Sequence, residues 1–425
     1  LHIFVIREKR CLSAQLHKTK CLLIVYFCHS KLSIIMKQYA KIEKAELCTL
    51  KIPFRMDFTH AMASRSFSDS LILKIEGQGK RGFGEAIVRD YVSGEIGKDA
   101  DLLKNAKKII VRILEPLIEK NISWEEGKEH LDSLALESHG LPLLCAAETA
   151  LLDMFCHSSG EDIYGLLKKE TLKQTIQYGG ILPILPLPEA EYILDMYKKI
   201  NIRSMRIKVG TDLDYNEGIL KLSREKLGRD FDLRIDANAS WSLEMTLNNL
   251  KLCRKYGIFL VEEPFGKDRE EILLLLKDPE SRGFQFVADE SALTINDIET
   301  VAKNRSYHMI NLRLSKNGGL LKVLKMAEIA EKRGLQYQVG CHVGETGVLS
   351  ALGRVAASIL PKAVYVDGSY DSYLLSENIT SENFSFGFGG VAEIIRGQGL
   401  GFTVDETRLG RLSIGKTRCF PRMGS

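Results

Sequence analysis

Arg234-Ile-Asp236-Ala-Asn238, Val261-Glu262-Glu263-Pro264 and Ala288-Asp289-Glu290-Ser291 each join a short apolar run to a carboxylate and a turn. The same pattern extends in both directions. Apolar runs of strand length end at Lys208, Asp236, Glu262, Asp289, Arg313, Cys341 and Asp367, at intervals of 28, 26, 27, 24, 28 and 26 residues. Amphipathic stretches such as Leu243–Tyr256 and Leu320–Arg333 fill the intervals. One strand, one helix and their loops need this much chain, and successive units give a parallel sheet with right-handed crossovers. A first strand near Thr175–Tyr178 brings the number to eight, which closes a barrel. The expected fold is therefore α/β: a modified (β/α)-barrel of TIM-like type over residues 166–370, with a smaller domain before it. The rival, an open doubly wound sheet, lacks a glycine-rich fingerprint after its first strand.

Catalytic groups of such barrels gather where the strands end, at the C-terminal face. A single acid there can be a helix cap. Three on neighbouring strands, Asp236, Glu262 and Asp289, suit hard octahedral Mg²⁺, with Mn²⁺ as the alternative ion. No His/Cys set has the spacing of a zinc site. One strand earlier, Arg206-Ile-Lys208 puts two cations on one strand face, pointing inward beside the acids. Buried cations need anionic partners, so a purely structural ion pair is the bland reading. The chemical reading is that crowding by Arg206 and a metal lowers the lysine pKa. Lys208 then accepts a carbon-bound proton near neutral pH, and Mg²⁺ on a substrate carboxylate stabilises the enediolate.

Upstream, residues 37–165 read as an α+β capping domain. Ile42–Phe54, Ser70–Ile75 and Arg81–Glu85 are strand-like, the last after the Gly77-Gln78-Gly79 turn. Glu95–Ala106, Ile109–Leu117, Trp124–Leu134 and Ala146–Cys156 carry helical patterns. The polar stretch His60-Ala-Met-Ala-Ser-Arg65 is expected to be flexible and to close over the barrel mouth. Residues 371–425, Gly-rich at Phe384–Gly390, are expected to return toward the capping domain.

Residues 1–36 differ in character. Arg7, Lys9, Arg10, Lys18, Lys20 and Lys31 against Glu8 place +5 in the first 35 residues, which leaves −1 for the rest of a chain of net charge +4. A nucleic-acid surface is therefore not expected. The apolar run Cys21–Cys28 is too short to span a bilayer, and no small-residue cleavage site follows it. These residues read as a leader outside the fold, ahead of Met36, and the protein as cytoplasmic. The nine cysteines are scattered without a CxxC pair, as for ordinary thiols in a reducing compartment.

The chain resembles the enolase superfamily, and within it the muconate-cycloisomerase (mandelate racemase/muconate lactonizing enzyme) subgroup that includes dipeptide epimerases. The likeness runs from about Ile42 to Asp405. It is carried by Gly82-Phe-Gly-Glu-Ala86, Arg206-Ile-Lys-Val-Gly210, Asp236-Ala-Asn238, Val261-Glu-Glu-Pro264, Ala288-Asp-Glu-Ser291 and Asn317-Gly-Gly319. The resemblance implies Asp236, Glu262 and Asp289 as Mg²⁺ ligands and Lys208 as acid/base on one substrate face. Arg206 stands where the subgroup usually has the first lysine of a Lys-x-Lys pair. It is expected to hold the carboxylate and tune Lys208.

Three positions depart from the subgroup. Its second lysine ends the sixth strand, where this chain has Arg313. Arginine stays charged and is a poor proton shuttle; Lys316, three residues on, substitutes only if its loop folds back. Dipeptide epimerases carry Asp-x-Asp at the eighth strand to hold the ammonium, where this chain has Asp367-Gly-Ser369. At the seventh strand, Cys341-His342-Val-Gly-Glu345 offers a histidine without the sixth-strand aspartate that mandelate-racemase-like members pair with it. Further expected contacts to substrate or to these groups are His60, Arg65, Asn238, Glu290, Lys316, His342, Glu345 and Asp367.

The expected activity is Mg²⁺-dependent α-proton abstraction from a small carboxylate, in an isomerase or epimerase of a dipeptide or N-substituted amino acid. A homo-oligomer without membrane or nucleic-acid partners is expected. The alternatives are a one-base syn-dehydratase resembling o-succinylbenzoate synthase, a cycloisomerase, and a metal-binding metabolite sensor without turnover.

Overall fold

The computed structural model describes residues 39–97, 99–267 and 270–420; the expected leader lies outside them. Eight parallel strands form the centre, adjacent in chain order: Gly180–Leu182, Ser204–Lys208, Asp232–Asp236, Leu260–Glu262, Gln285–Ala288, Met309–Arg313, Gln336–Gly340 and Ala363–Val366. The sheet curls until the Gly179 N–H donates to Val366 O at 2.9 Å, which links its two edges. Helices pack outside, so strands such as Met309–Arg313 are buried at every position.

The first strand differs from the expectation. Thr175–Gln177 pairs antiparallel with Val391–Glu393, and Gly180–Leu182 enters the barrel instead, beside Met205–Ile207. The β-rich run continues through Gly179-Gly180, so alternation alone does not say which half joins the sheet. Tyr178 decides it, stacking on Phe386 of the C-terminal segment.

Register sets the inner layers. Arg206 pairs with Arg234, Lys208 with Asp236, and Asp236 with Glu262 on successive strands. Side chains alternate along a strand, so Lys208, Asp236 and Glu262 share the layer nearest the mouth. Beneath lies a polar interior: Asn311 Nδ2 and Gln338 Nε2 each donate to Glu262 at 2.8 Å.

Before the barrel, a four-stranded antiparallel sheet runs in the order Ser413–Phe420, Lys44–Leu50, Leu71–Gly77, Lys80–Ala86. Helix Leu141–Ser159 lies on it, with every residue from Leu141 to Cys156 buried. Gly84 is a glycine because a Cβ there would strike the main chain at Ala146. The expected helices Glu95–Ala106 and Ile109–Leu117 are one continuous helix, Asp99–Leu114. No proline or glycine interrupts it.

His60–Arg65, expected to be a flexible stretch, is the turn end of a β-hairpin formed by Ile52–His60 and Ala63–Ser68. Thr59 pairs with Ser64 and His60 with Ala63, leaving a two-residue turn. The hairpin reaches the barrel: Ile184 N–H donates to Thr59 O at 2.8 Å, and Ser68 Oγ donates to Gly344 O at 2.6 Å. Among the described residues, no helix is long and apolar enough to cross a membrane.

Candidate active site

Each helix after a barrel strand needs a cap for its unpaired N–H groups. Asp212, Ser242, Thr294 and Thr346 supply caps for four of these helices. Asp236 and Asp289 are therefore not the caps of the helices that follow their strands. Asp236, Glu262 and Asp289 are buried, and each offers a carboxylate oxygen within 4.8 Å of the others.

Cations surround this cluster. Lys208 Nζ lies 2.5 Å from Asp236 Oδ2 and 3.0 Å from Asn238 Oδ1. Arg206 Nη1 lies 2.5 Å from Glu262 Oε1 and 3.5 Å from Asp236 Oδ2. Arg313 lies against Asp289 and 3.8 Å from Glu262. Burial pushes the Lys208 ammonium down, and Arg206 and Arg313 add to the effect against the pull of Asp236. Glu262 behaves oppositely: burial alone would raise its carboxyl, but Arg206, Arg313 and Lys208 hold it below the usual carboxylate range.

Lys316 does fold back. It sits on the short turn Leu314–Asn317, fully buried, with Nζ 2.7 Å from Asp289 O, 3.0 Å from Asp289 Oδ1 and 2.6 Å from Asn311 O. All three ammonium protons are thereby used. Asn317 locks the same turn, accepting from Arg313 N–H and donating to Ala292 O and Leu293 O. Gly319 has φ +111°, and a Cβ there would come within 2.5 Å of the Glu148 carboxylate. That carboxylate accepts from Leu321 N–H at 3.1 Å, at the start of helix Leu320–Arg333.

A cavity of about 660 Å³ opens above the cluster. Arg206, Lys208, Arg313, Cys341, His342 and Glu345 line its inner part. His60 is joined to it through Tyr91, whose hydroxyl lies 3.1 Å from His60 Nε2. Arg65 points to Asp69 at 2.8 Å, and Asn238, Glu290 and Lys316 are not among the lining residues. Asp367 turns away from the cavity into ion pairs with Arg234 and Arg206. Burial pushes the Glu345 carboxyl up to about 8, and burial pushes the His342 imidazolium down, with Arg313 adding to the effect.

The sequence reading missed several walls. Arg55 and Phe58 come from the hairpin, Tyr192 from helix Leu187–Lys199, and Asp371 from the loop after the eighth strand. Only Asp371 left a local signal, as a second acid four residues after Asp367. Glu85, within Gly82-Phe-Gly-Glu-Ala86, carries no expectation from the sequence. It is buried and accepts from Ser70 Oγ, Thr346 Oγ1 and Leu349 N–H, which ties the capping sheet to the loop after the seventh strand.

The donor set fits a hard divalent cation: three buried carboxylates converge, with no histidine or thiol among them. The family described as "Enolase C-terminal domain-like" matches residues 189–408. The chain belongs to the enolase superfamily. It is 27% identical over 328 residues to the L-Ala-D/L-amino acid epimerase of Flavobacterium johnsoniae, covering 76% of this chain and 89% of that protein. The N-succinyl Arg/Lys racemase of Bacillus cereus superposes with a TM-score of 0.78 at 22% identity, covering 89% of this chain and 99% of that one. A dipeptide epimerase from Cytophaga hutchinsonii, complexed with Mg and D-Ala-L-Val, gives a TM-score of 0.76 at 22% identity over 89% and 100% of the two chains. The fold of the superfamily, a curled barrel with a strand-rich N-terminal domain, is the one seen here.

Proposed function

We propose that the chain is a divalent-cation-dependent isomerase that removes the proton α to the carboxylate of an N-substituted amino acid or dipeptide. The observation that carries this reading is the position of Lys208: its ammonium lines the cavity beside the acid cluster, and burial and two guanidiniums lower its proton affinity. A bound Mg²⁺ at Asp236, Glu262 and Asp289 would supply positive charge to offset that of the enediolate. Arg206 holds Glu262 in place and keeps positive charge beside Lys208, favouring the neutral amine that accepts the proton. Asn238 Oδ1 accepts from Lys208 Nζ and orients it. The hairpin residues Met56 and Phe58, with Tyr91, form part of the cavity wall above these groups.

Arg313 stands on the other side of the cluster and keeps its charge. It stabilises an anion and does not cycle a proton. Epimerisation then draws its second-face proton from another group in the cavity, where His342 and Glu345 are the titratable neighbours. The same observation favours a second reading, a one-base syn-elimination with Lys208 acting as base and then as acid. Proton NMR in deuterated solvent tests the shared step. With Mg²⁺ present, the wild-type chain should wash out the α-proton of an N-acyl amino acid, and Lys208→Ala should not while still binding the metal. Equal exchange by both proteins would defeat the assignment.

A further inference from the structure

Among the described residues, the capping domain contributes Arg55, Met56, Phe58 and Tyr91 to the cavity wall. Met56 and Phe58 are apolar. Arg55 is turned to main-chain carbonyls, with Nε 3.1 Å from Ser372 O and Nη2 3.3 Å from Ser376 O. Tyr91 is placed differently. It stands on the short turn Asp90–Ser93, which Arg89 holds: the Ser93 N–H and Oγ donate to Arg89 O. The Arg89 guanidinium in turn donates to Asp69 Oδ1 at 2.8 Å and to Val343 O at 3.0 Å. The tyrosine is thereby carried on a fixed support between the hairpin and the loop after the seventh strand.

The Tyr91 hydroxyl meets His60 Nε2 at 3.1 Å, and the direction of that bond follows from the rest of the imidazole. His60 Nδ1 accepts from the Met62 main-chain N–H at 3.3 Å, across the two-residue turn of the hairpin. Burial pushes the His60 imidazolium down to about 3, with Lys208 and Arg313 adding to the effect. Near neutral pH the ring therefore carries one proton. With Nδ1 accepting, that proton sits on Nε2 and is donated to the Tyr91 oxygen. Tyr91 keeps its own hydroxyl proton, which has no acceptor among the described residues. A half-buried hydroxyl in a cavity wall, its oxygen already accepting and its proton unspent, is matched by an oxygen of the ligand.

Resting on the proposed α-proton chemistry, we propose that Tyr91 binds the substrate, donating its hydroxyl proton to the carbonyl oxygen of the group on the substrate nitrogen. His60 is the positioning residue that turns the hydroxyl toward that oxygen. The carboxylate end of the substrate belongs on the barrel side, with Arg206, Arg313 and the acid cluster. Of the groups on the α-carbon, the nitrogen substituent is then the one that always brings a carbonyl oxygen to the capping side. An N-acyl amino acid and a dipeptide both offer it. Neither Tyr91 nor His60 takes part in proton transfer.

The test compares N-acetyl-leucine with its thioamide, N-thioacetyl-leucine, on the Mg²⁺-loaded full chain, by titration calorimetry. The two differ by one atom, and sulfur is the weaker acceptor. Wild type should bind the oxygen compound about tenfold more tightly, the scale of one enclosed hydrogen bond. Tyr91→Phe should bind the two alike. His60→Leu should lose most of the preference, and His60→Gln, which returns an N–H donor, should recover part of it. In α-proton washout, Tyr91→Phe should raise KM by a larger factor than it lowers kcat, as for a contact made in bound substrate and transition state alike. A Tyr91→Phe variant that keeps the preference would overturn the proposal. That holds whether it binds as wild type does or weakens both compounds equally, the mark of a hairpin latch alone. Binding of neither compound by wild type would overturn it too. Preference without washout sinks the Lys208 chemistry and keeps the contact, whereas washout without preference sinks the contact alone.

Discussion

Lys316 Nζ and Asp289 Oδ1 lie 3.0 Å apart in a wholly enclosed contact, while Arg313 meets the same carboxylate from the cavity side. Two cations thus share one acid, and of the two only Arg313 lines the cavity. The lysine three residues beyond Arg313 is accordingly proposed as a support for the acid cluster.

Removing that support should cost stability rather than stereochemistry. Lys316→Met leaves Asp289 and two main-chain carbonyls without their donor, and loss of one member of a buried pair costs about 3 kcal/mol. Denaturant unfolding should show this loss. The balance of retained and inverted label in exchanged substrate should stay as in wild type. A stable variant with altered stereochemistry would make Lys316 a proton carrier.

The metal assignment makes a separate demand. Asp236→Asn, Glu262→Gln and Asp289→Asn should each weaken Mg²⁺ binding about a hundredfold or more, beyond the loss of an outer partner. Circular dichroism should report a folded chain in each case. Unchanged Mg²⁺ affinity in a triple variant would place the ion elsewhere.

Glu148 predicts a pH dependence of stability. Burial pushes its carboxyl from 4.5 up to about 8 in the folded chain, against the N–H groups of Leu320 and Leu321. Its folded pKa exceeds the unfolded one, so its contribution is complete below about 4.5 and is lost as pH rises toward about 8. Glu148→Gln should flatten the decline in stability between those limits, on the order of a few kcal/mol. Unfolding midpoints across that range, compared between the two proteins, check this. Parallel curves would mean the carboxyl titrates normally.

The regular part of this molecule was legible because barrel strands announce themselves twice, as apolar runs and by their recurrence every 24 to 28 residues between Lys208 and Asp367. Asp236, Glu262 and Asp289 were readable for the same reason, since the strand ends carry them to one face. Gly180–Leu182 was misplaced because Thr175–Gln177 has the same β character and only the stack of Tyr178 on Phe386 separates them. The tip of the hairpin at His60 looked like a loop because the alternation Ile52, Phe54, Met56, Phe58 of its first strand stops there, and Ala63–Ser68 carries small and polar residues apart from Phe67. Cavity walls such as Arg55 and Tyr192 come from segments far apart in the chain, and no local pattern joins them. The pairing of Asp367 with Arg234 is likewise a contact across 133 residues.

Whether Lys208 cycles the α-proton on one face while Arg313 cycles none on the other is read from the stereochemical course of exchange. Each epimer of an N-acyl amino acid would be incubated separately in deuterated solvent with Mg²⁺ and wild-type protein, and label and configuration followed together. One epimer should gain deuterium with retained configuration faster than inverted product accumulates, and Lys208→Ala should abolish this washout. Label arriving first with inversion, at equal rates from both epimers and undiminished by His342→Ala or Lys316→Ala, would contradict this and assign the second face to an ordinary base.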